Sequence, residues 1–323
     1  MSETAPANRR GRDYLPVERL RRLLCNEAWN IGVVDQPADD VVARGIVSPV
    51  RWLPAPPAGV ALADPASRQR ADGGWILYAE RLDYQRRPVG AIWAAHLERG
   101  ADPATARFQP LLAHDFHMSY PFPFEDAQGR PLLTAETWQA GEAVLWHESD
   151  GAPRRVGTLM RDRAVVDPTL WRAPDRWWLF CTFRDDDPDG KLHLFHTPRL
   201  GEPWVAHRGN PVKVGRGGSR PAGPVFRAGD LLVRPAQDCS RTYGGAVVLH
   251  AITRLDEHGF EEIVLRRLDP VPGHYPHGLH TFCPAGDVTL IDGKRWAPDW
   301  RGLPRKVRRR LSAASYPPLT APR

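Results

Sequence analysis

Three aspartates could do chemistry together if the chain gathered them in one place. Asp64 and Asp167 each precede a proline at the start of an apolar, strand-like run, and Asp238 lies in the segment Arg234-Pro235-Ala236-Gln237-Asp238-Cys239-Ser240. Carboxylates crowded into a confined pit push one another's pKa values apart, so one can act as base or nucleophile and another as proton donor. Glycosyl transfer uses such a pair: one group protonates the leaving oxygen while the other attacks or activates the attacking hydroxyl. A single Asp-Pro pair is equally a turn device, so the recurrence is what matters. Arg220, Arg234 and His280 also fall at predicted strand starts. They would either neutralise the acids, as buried carboxylates require, or grip an anionic group such as a sugar phosphate or uronate. His117, Tyr120 and Gln237 can bind sugar hydroxyls or be satisfied core groups, and Glu80 and Glu136 are further acids beside them.

Only a ring makes neighbours of residues so far apart in the chain. Five times, at intervals of roughly 50 residues, a polar turn runs into an apolar stretch. The turns lie near Asp64-Pro65, Ser119-Tyr120-Pro121, Asp167-Pro168, Ser219-Arg220-Pro221 and His280-Thr281. The apolar runs that follow include Trp75-Ile76-Leu77-Tyr78, Trp177-Trp178-Leu179-Phe180 and Val288-Thr289-Leu290-Ile291. This pattern predicts an all-β fold, a five-bladed β-propeller over residues 29–293. Blades are expected at about 46–98, 115–149, 155–197 and 204–254, with Phe260–Leu265 and Asp287–Ile291 in the fifth. Trp29–Val34 would complete that last blade. Residues 1–28 read as a polar, disordered tail followed by a short amphipathic N-terminal helix over Val17–Leu24, and 294–323 as a basic, Pro-rich C-terminal tail.

The formal charge of +6 invites a nucleic-acid reading, but its distribution opposes one. Residues 294–323 carry a net +8 and residues 1–26 a net +3, which leaves the body between them at −5. A nucleic-acid groove needs its positive charge on the folded face. The four cysteines show no CxxC spacing, so no zinc site is expected. His274, His277 and His280 lack a carboxylate or Cys partner at ligand spacing. No Gly-rich phosphate loop opens a helix and no GxSxG elbow occurs, so neither a metal nor a cofactor is expected. The start of the chain has no apolar signal region and no run is long enough to span a bilayer, which points to a reduced, cytoplasmic setting. The basic cluster Arg305–Arg310 would be a solvated tail or an attachment to an anionic membrane at the inner face. Twelve tryptophans serve core packing or sugar stacking.

The segments His117-Met118-Ser119-Tyr120-Pro121-Phe122, Pro203-Trp204-Val205-Ala206-His207, Ser219-Arg220-Pro221-Ala222-Gly223 and Arg234–Ser240 carry a family likeness. The chain resembles the five-bladed propellers of the glycosidase superfamily that includes β-fructosidases and arabinofuranosidases. It is more similar to the N-terminal propeller domain of glucosamine inositolphosphorylceramide transferases and their bacterial relatives. By order along the chain, the resemblance implies Asp64 as base or nucleophile, Asp167 as charge stabiliser and Asp238 as proton donor. The glycosidases use Glu as the donor, so Glu80 and Glu136 are candidate substitutes for Asp238. The resemblance implies an enzyme of glycosyl transfer acting on a glycan, sugar phosphate or glycolipid in cell-surface polysaccharide synthesis or remodelling. The alternative is a non-catalytic glycan-binding module serving a partner glycosyltransferase, because the transferase activity of the plant relatives resembles that of a separate C-terminal domain.

Overall fold

In the computed structural model, residues 20–21, 23–85, 89–148, 152–300, 302–304 and 306 are described, and they form five antiparallel sheets. The chain opens with β1 (Cys25–Val34), a short helix α1 (Ala38–Arg44) and β2 (Val50–Trp52). The first blade follows: β3 (Val60–Gln69), β4 (Trp75–Asp83), β5 (Gly90–Leu97) and β6 (Gln109–Leu112). The second is β7 (Ser119–Glu125), β8 (Pro131–Glu136), β9 (Glu142–His147) and β10 (Arg154–Arg161). The third is β11 (Val165–Arg172), β12 (Trp177–Phe183) and β13 (Lys191–Thr197), edged by β14 (Val205–Ala206) and β15 (Lys213–Val214). The fourth is β16 (Gly217–Pro221), β17 (Phe226–Ala228), β18 (Leu231–Asp238), β19 (Ala246–Leu255) and β20 (Phe260–Leu268). The last is β21 (Phe282–Ala285) and β22 (Val288–Pro298), completed by β1 and β2 from the other end of the chain.

The strand from near the N-terminus therefore closes the ring, as its sequence predicts. Ten pairings, from Cys25↔Pro298 to Val34↔Thr289, hold it. The closing pair extends β22 to Pro298, past the expected end of the body at 293. Outer strands are where sequence and structure differ. Phe260–Leu268 belongs to the fourth blade and Arg154–Arg161 to the second, each one blade earlier than expected. About half of each strand is exposed, including the apolar Val156, Ile263 and Val264, so neither has the buried apolar pattern that marks the blade interiors. Of the expected helix, Leu20, Arg21, Leu23 and Leu24 are described; residues 1–19 and, apart from Lys306, the 305–310 cluster lie outside the described residues. Among the described residues, no helix is long and apolar enough to cross a membrane.

Five apolar layers lie between successive blades. Ile31, Val33, Leu77, Ala79 and Leu290 pack the fifth blade against the first, and Tyr120, Phe122, Leu170, Leu179 and Phe183 pack the second against the third. Inner strands are buried on both faces, which explains their unbroken apolar runs. Each buried Leu, Ile or Phe contributes about 1.5–3 kcal/mol, so the blades cohere without disulfides; the four cysteines are free.

The inner strands share one backbone device. Asp64, Tyr120 and Asp167 all have positive φ, at 51°, 48° and 49°, and each precedes a proline. At each, the register with the second strand jumps by one residue: between Ala63 and Ala66, Ser119 and Phe122, and Val166 and Thr169. Such a bulge turns a side chain out of the pleat, and the proline that follows has no N–H to lose. A left-handed conformation costs a non-glycine residue about 1–3 kcal/mol, so its threefold use marks a site. The fourth blade reaches the same place with a two-residue jump between Gly217 and Pro221.

The inner strands of blades four and five meet at Gly223, whose φ is +133° and whose added Cβ would lie 2.0 Å from the Phe282 carbonyl oxygen. Phe282 N–H donates to Ala222 O at the same junction. Gly223→Ala should therefore cost about 3 kcal/mol or more and lower the thermal unfolding midpoint sharply. A midpoint equal to that of the parent chain would contradict this packing.

Candidate functional site

One polar side chain from the start of each inner strand reaches the axis: Asp64, Tyr120 and Asp167 at their bulges, Arg220 at the wider jump of blade four, and His280 just ahead of β21. All five are buried. Neighbours around the ring bond to one another. Tyr120 N–H donates to Asp64 Oδ2 at 3.1 Å, and Asp64 N–H donates to Asp292 Oδ2 at 3.2 Å. Arg220 donates from Nε to Asp167 Oδ2 at 2.6 Å and from Nη1 to Asp189 Oδ1 at 3.0 Å. The Tyr120 hydroxyl pairs with Thr169 Oγ1 at 2.8 Å and accepts from Gly223 N–H at 2.8 Å.

The second strands add a further set of polar groups at the ends of their apolar runs. Glu80 sits opposite Ala63, Glu136 opposite Ser119, and Gln237 beside the Pro221↔Ala236 pair. Gln237 Nε2 donates to Asp167 Oδ2 at 3.1 Å and to Pro221 O at 2.9 Å. Glu136 Oε2 lies 3.7 Å from Arg220 Nη2 and, like the buried Glu80 Oε1, makes no hydrogen bond within the protein. His117 stands half-buried over Glu80, its Nε2 3.6 Å from Glu80 Oε1. Its Nδ1 accepts from Gly90 N–H at 2.8 Å, which places the ring proton on Nε2, facing the acid.

The floor carries more acid than base. Burial pushes Asp64 up to about 6, against the pull of His280. Burial pushes Asp167 up to about 7, against Arg220 and with help from Glu136. Glu80 is driven well above the usual carboxylate range by burial and by Asp64 and Glu136. Asp292 goes the other way. Burial would raise it, but His280 and three backbone N–H donors hold it below the ordinary value. His280, 2.6 Å from Asp292 through Nδ1 and 3.4 Å from Asp64 through Nε2, is held above the usual imidazole range by these two acids in spite of its burial. Trp29 stacks on it at 4.0 Å between ring centres. The pit thus holds two acids in unequal surroundings, Asp64 beside the His280 cation and Glu80 beside further acids that push it toward its protonated form.

Asp64, His280 and Asp292 could each offer a ligand atom to a cation, all within 4.8 Å of one another. Their mutual pairing and the backbone donors on Asp292 already occupy most of those lone pairs. The set is satisfied as an ion-pair network.

Two residues expected in the site are elsewhere. Asp238 turns outward, bonding to Arg267 of β20 and accepting from Ser240 N–H at 2.8 Å. Side chains alternate along β18, so Gln237 takes the inward direction and its neighbour cannot. Arg234 lies farther down the same strand and donates twice to Glu262 Oε atoms at 2.8 Å and once to Gly218 O at 2.7 Å. It ties the inner strand of blade four to its outer strand. Asp64, Asp167, Glu80, His117, Tyr120, Glu136, Arg220, Gln237 and His280 are gathered at the funnel. Asp292, Asp189, Tyr243 and Trp29 were missed. Asp292 carried a signal: it ends the run Val288-Thr289-Leu290-Ile291 as Glu80 ends Trp75–Ala79 and Glu136 ends Pro131–Ala135. Asp189 and Tyr243 lie in loops and carried none.

The fold and this acid-floored funnel define a class, the five-bladed propellers with a polar axial pit. Among solved structures, the chain is similar to an exo-β-1,3-galactanase from Clostridium thermocellum, with a TM-score of 0.54 at 8% identity over 72% of this chain and 59% of that one. A family 117 glycoside hydrolase from Zobellia galactanivorans gives 0.51 at 12% identity, over 73% and 85%. At these identities the likeness is one of fold. Residues 97–269, more than half of the chain, match the family described as glucosamine inositolphosphorylceramide transferase 1, N-terminal, and the chain belongs to that family. Glucosamine inositolphosphorylceramide transferase 1 of Oryza sativa, subspecies japonica and indica, is 27% identical over 154 residues, 46% of this chain. The match spans about a fifth of those relatives, 21% of their length.

The raised carboxyl of Asp64 has a definite sign in stability. The folded chain holds this proton more tightly than the unfolded one, so the contribution to stability falls as pH rises from about 4 to about 6. Asp64→Asn should flatten that part of the stability curve, read as the unfolding midpoint at successive pH values. Parallel curves for the two proteins would contradict the assignment. Arg220→Met leaves Asp167 and Asp189 facing each other without their cation, and should destabilise the fold by about 3–5 kcal/mol. Denaturant titration measures it.

Proposed function

We propose that the axial pit binds a sugar ring and carries out glycosyl transfer. The observation that carries this reading is the acid pair in unequal surroundings: Glu80, partly buried, pushed toward its protonated form and with an oxygen that makes no hydrogen bond in the protein, beside Asp64, which His280 pulls toward ionisation. In the proposed step the bond from the anomeric carbon to the leaving oxygen breaks, and that oxygen takes its proton from Glu80. Asp64 takes the proton of the attacking hydroxyl as the new bond to the anomeric carbon forms. Asp167, paired with Arg220, stabilises the positive charge that develops on the ring. Glu80 thus takes the donor role, since Asp238 faces away. His117 holds Glu80 in place, and Tyr120, Glu136 and Gln237 line the floor.

The same charges bear on the substrate. The Arg220 fork is used by Asp167 and Asp189, so it does not offer itself to a phosphate or uronate. A surplus of acids repels anions at the point of reaction, which favours a neutral or amino sugar of a glycan or glycolipid over a sugar phosphate bound there. Family membership supports a glycan or glycolipid setting, because the relatives are named for transfer to an inositolphosphorylceramide. We place the work at a cytoplasmic membrane face, with the basic 305–310 cluster as the anchor.

A second reading has one observation in its favour. The inner position of blade four is filled by a cation, Arg220, that is locked into two salt bridges, as suits a rigid binding module of a partner transferase. Turnover and binding measured together on a panel of glycosides and nucleotide sugars decide between the two. For the enzyme, Glu80→Gln and Asp64→Asn should each lose about 10²–10⁴ in rate with much of the affinity retained, while Asp238→Asn keeps both. Sugar binding without turnover by the parent protein establishes the module instead.

A further inference from the structure

A groove of about 410 Å³ lies beside the funnel where the ring closes, between the end of β22 and the segment leading into β3. Its size is that of a small-molecule site, roughly 300–1,000 Å³. Trp29, Tyr84 and Trp300 line it together with Glu27, Gln85 and Arg295. We propose that this groove is a second glycosyl subsite, in which the Trp300 indole stacks on the pyranose next to the one held in the pit. The proposal rests on the carbohydrate reading above and adds where the rest of the glycan lies.

Three observations point there. The first is continuity. Trp29 belongs to both places: it lines the groove, and its other neighbour is His280, stacked at 4.0 Å and in contact with Asp64 and Asp292. Trp29 is thus the wall that separates the axial residues from the groove and touches both. The second is anchoring. Trp300 is 67% exposed, and a lone exposed indole means little. This one follows a residue pinned to the body. Asp299 N–H donates to Leu24 O at 2.9 Å, and the Asp299 carboxylate accepts from Asn26 Nδ2 at 2.9 Å and Gly302 N–H at 2.9 Å, with Lys306 Nζ 3.4 Å away. The exposed ring is thus held at the mouth of the groove by a buried framework.

The third is charge. Glu27 faces the buried Lys294 at 3.6 Å, Asp299 faces Lys306, and Arg295 lies over the Tyr275 ring at 5.3 Å. The two carboxylates of the groove each face a lysine and Arg295 lies against an aromatic ring, so what the groove presents is an aromatic face with polar edges. A neutral pyranose fits that description: its C–H face covers the indole and its hydroxyls reach the polar rim.

The test compares glucosamine, N-acetylglucosamine, galactose and mannose with disaccharides carrying each of them at the non-reducing end. Binding is read by calorimetry for the full chain, Trp300→Ala and Trp300→Phe, after thermal unfolding has shown all three to be folded. The parent chain should bind at least one disaccharide about tenfold or more tightly than its monosaccharide. Trp300→Ala should reduce that increment to about twofold or less, and Trp300→Phe, which keeps a ring, should restore most of it. An increment unchanged in Trp300→Ala overturns the subsite and leaves the pit reading standing. Absence of binding by the parent chain to every sugar of the panel overturns the carbohydrate reading, and the subsite with it.

Discussion

Buried carboxylates need partners, and at the axis of this chain several of those partners sit on other blades. Asp64 takes its hydrogen bonds from Tyr120 N–H of blade two and Thr281 of blade five. Asp292 takes one from Asp64 N–H of blade one, and Asp167 of blade three takes two from Arg220 of blade four. The groups that would do chemistry are therefore also the groups that join the blades at the axis. Apolar layers hold the blades together along their faces, but they are non-directional. The polar contacts at the centre fix how far each inner strand penetrates and which way its bulged residue points.

This double duty sets the electrostatics. Six acids, Asp64, Glu80, Glu136, Asp167, Asp189 and Asp292, share the cations Arg220 and His280. They cannot all ionise where they are buried together, and the protein resolves the conflict by sorting them. Asp292 keeps its charge because His280 and backbone donors surround it. Glu80 is pushed toward its protonated form because burial and the neighbouring acids Asp64 and Glu136 disfavour its charge. A division of labour between acid and base follows from packing, with no residue chosen for strength alone. It also explains why an arginine can stand where a carboxylate would make the pit untenable.

The blade repeat was legible because its physical cause is local. A strand buried on both faces must be apolar throughout, and a bulge at the axis favours X-Pro, so Asp64-Pro65, Tyr120-Pro121, Asp167-Pro168 and Arg220-Pro221 announce four inner strands. Outer strands carry no such mark. Exposed on about half of their length, Arg154–Arg161 and Phe260–Leu268 read as the beginnings of the blades that follow. The site was legible to the same degree. Residues at the bulges were found, since the turn that positions them is written in adjacent residues. Asp238 was misplaced because the direction of a side chain depends on strand parity. One step along β18 separates Gln237, which reaches Asp167, from Asp238, which reaches Arg267.

By itself, then, the order of residues determined the number of blades, the strand that closes the ring and the five positions that face the axis, because each follows from short-range pattern and from the period of the repeat. Tertiary structure alone decided which acids meet, which carry protons and which cation each one faces. Those properties arise between residues as far apart as Asp64 and Asp292, whose separation in space no local pattern encodes, and burial of the charge exists only once the ring has closed.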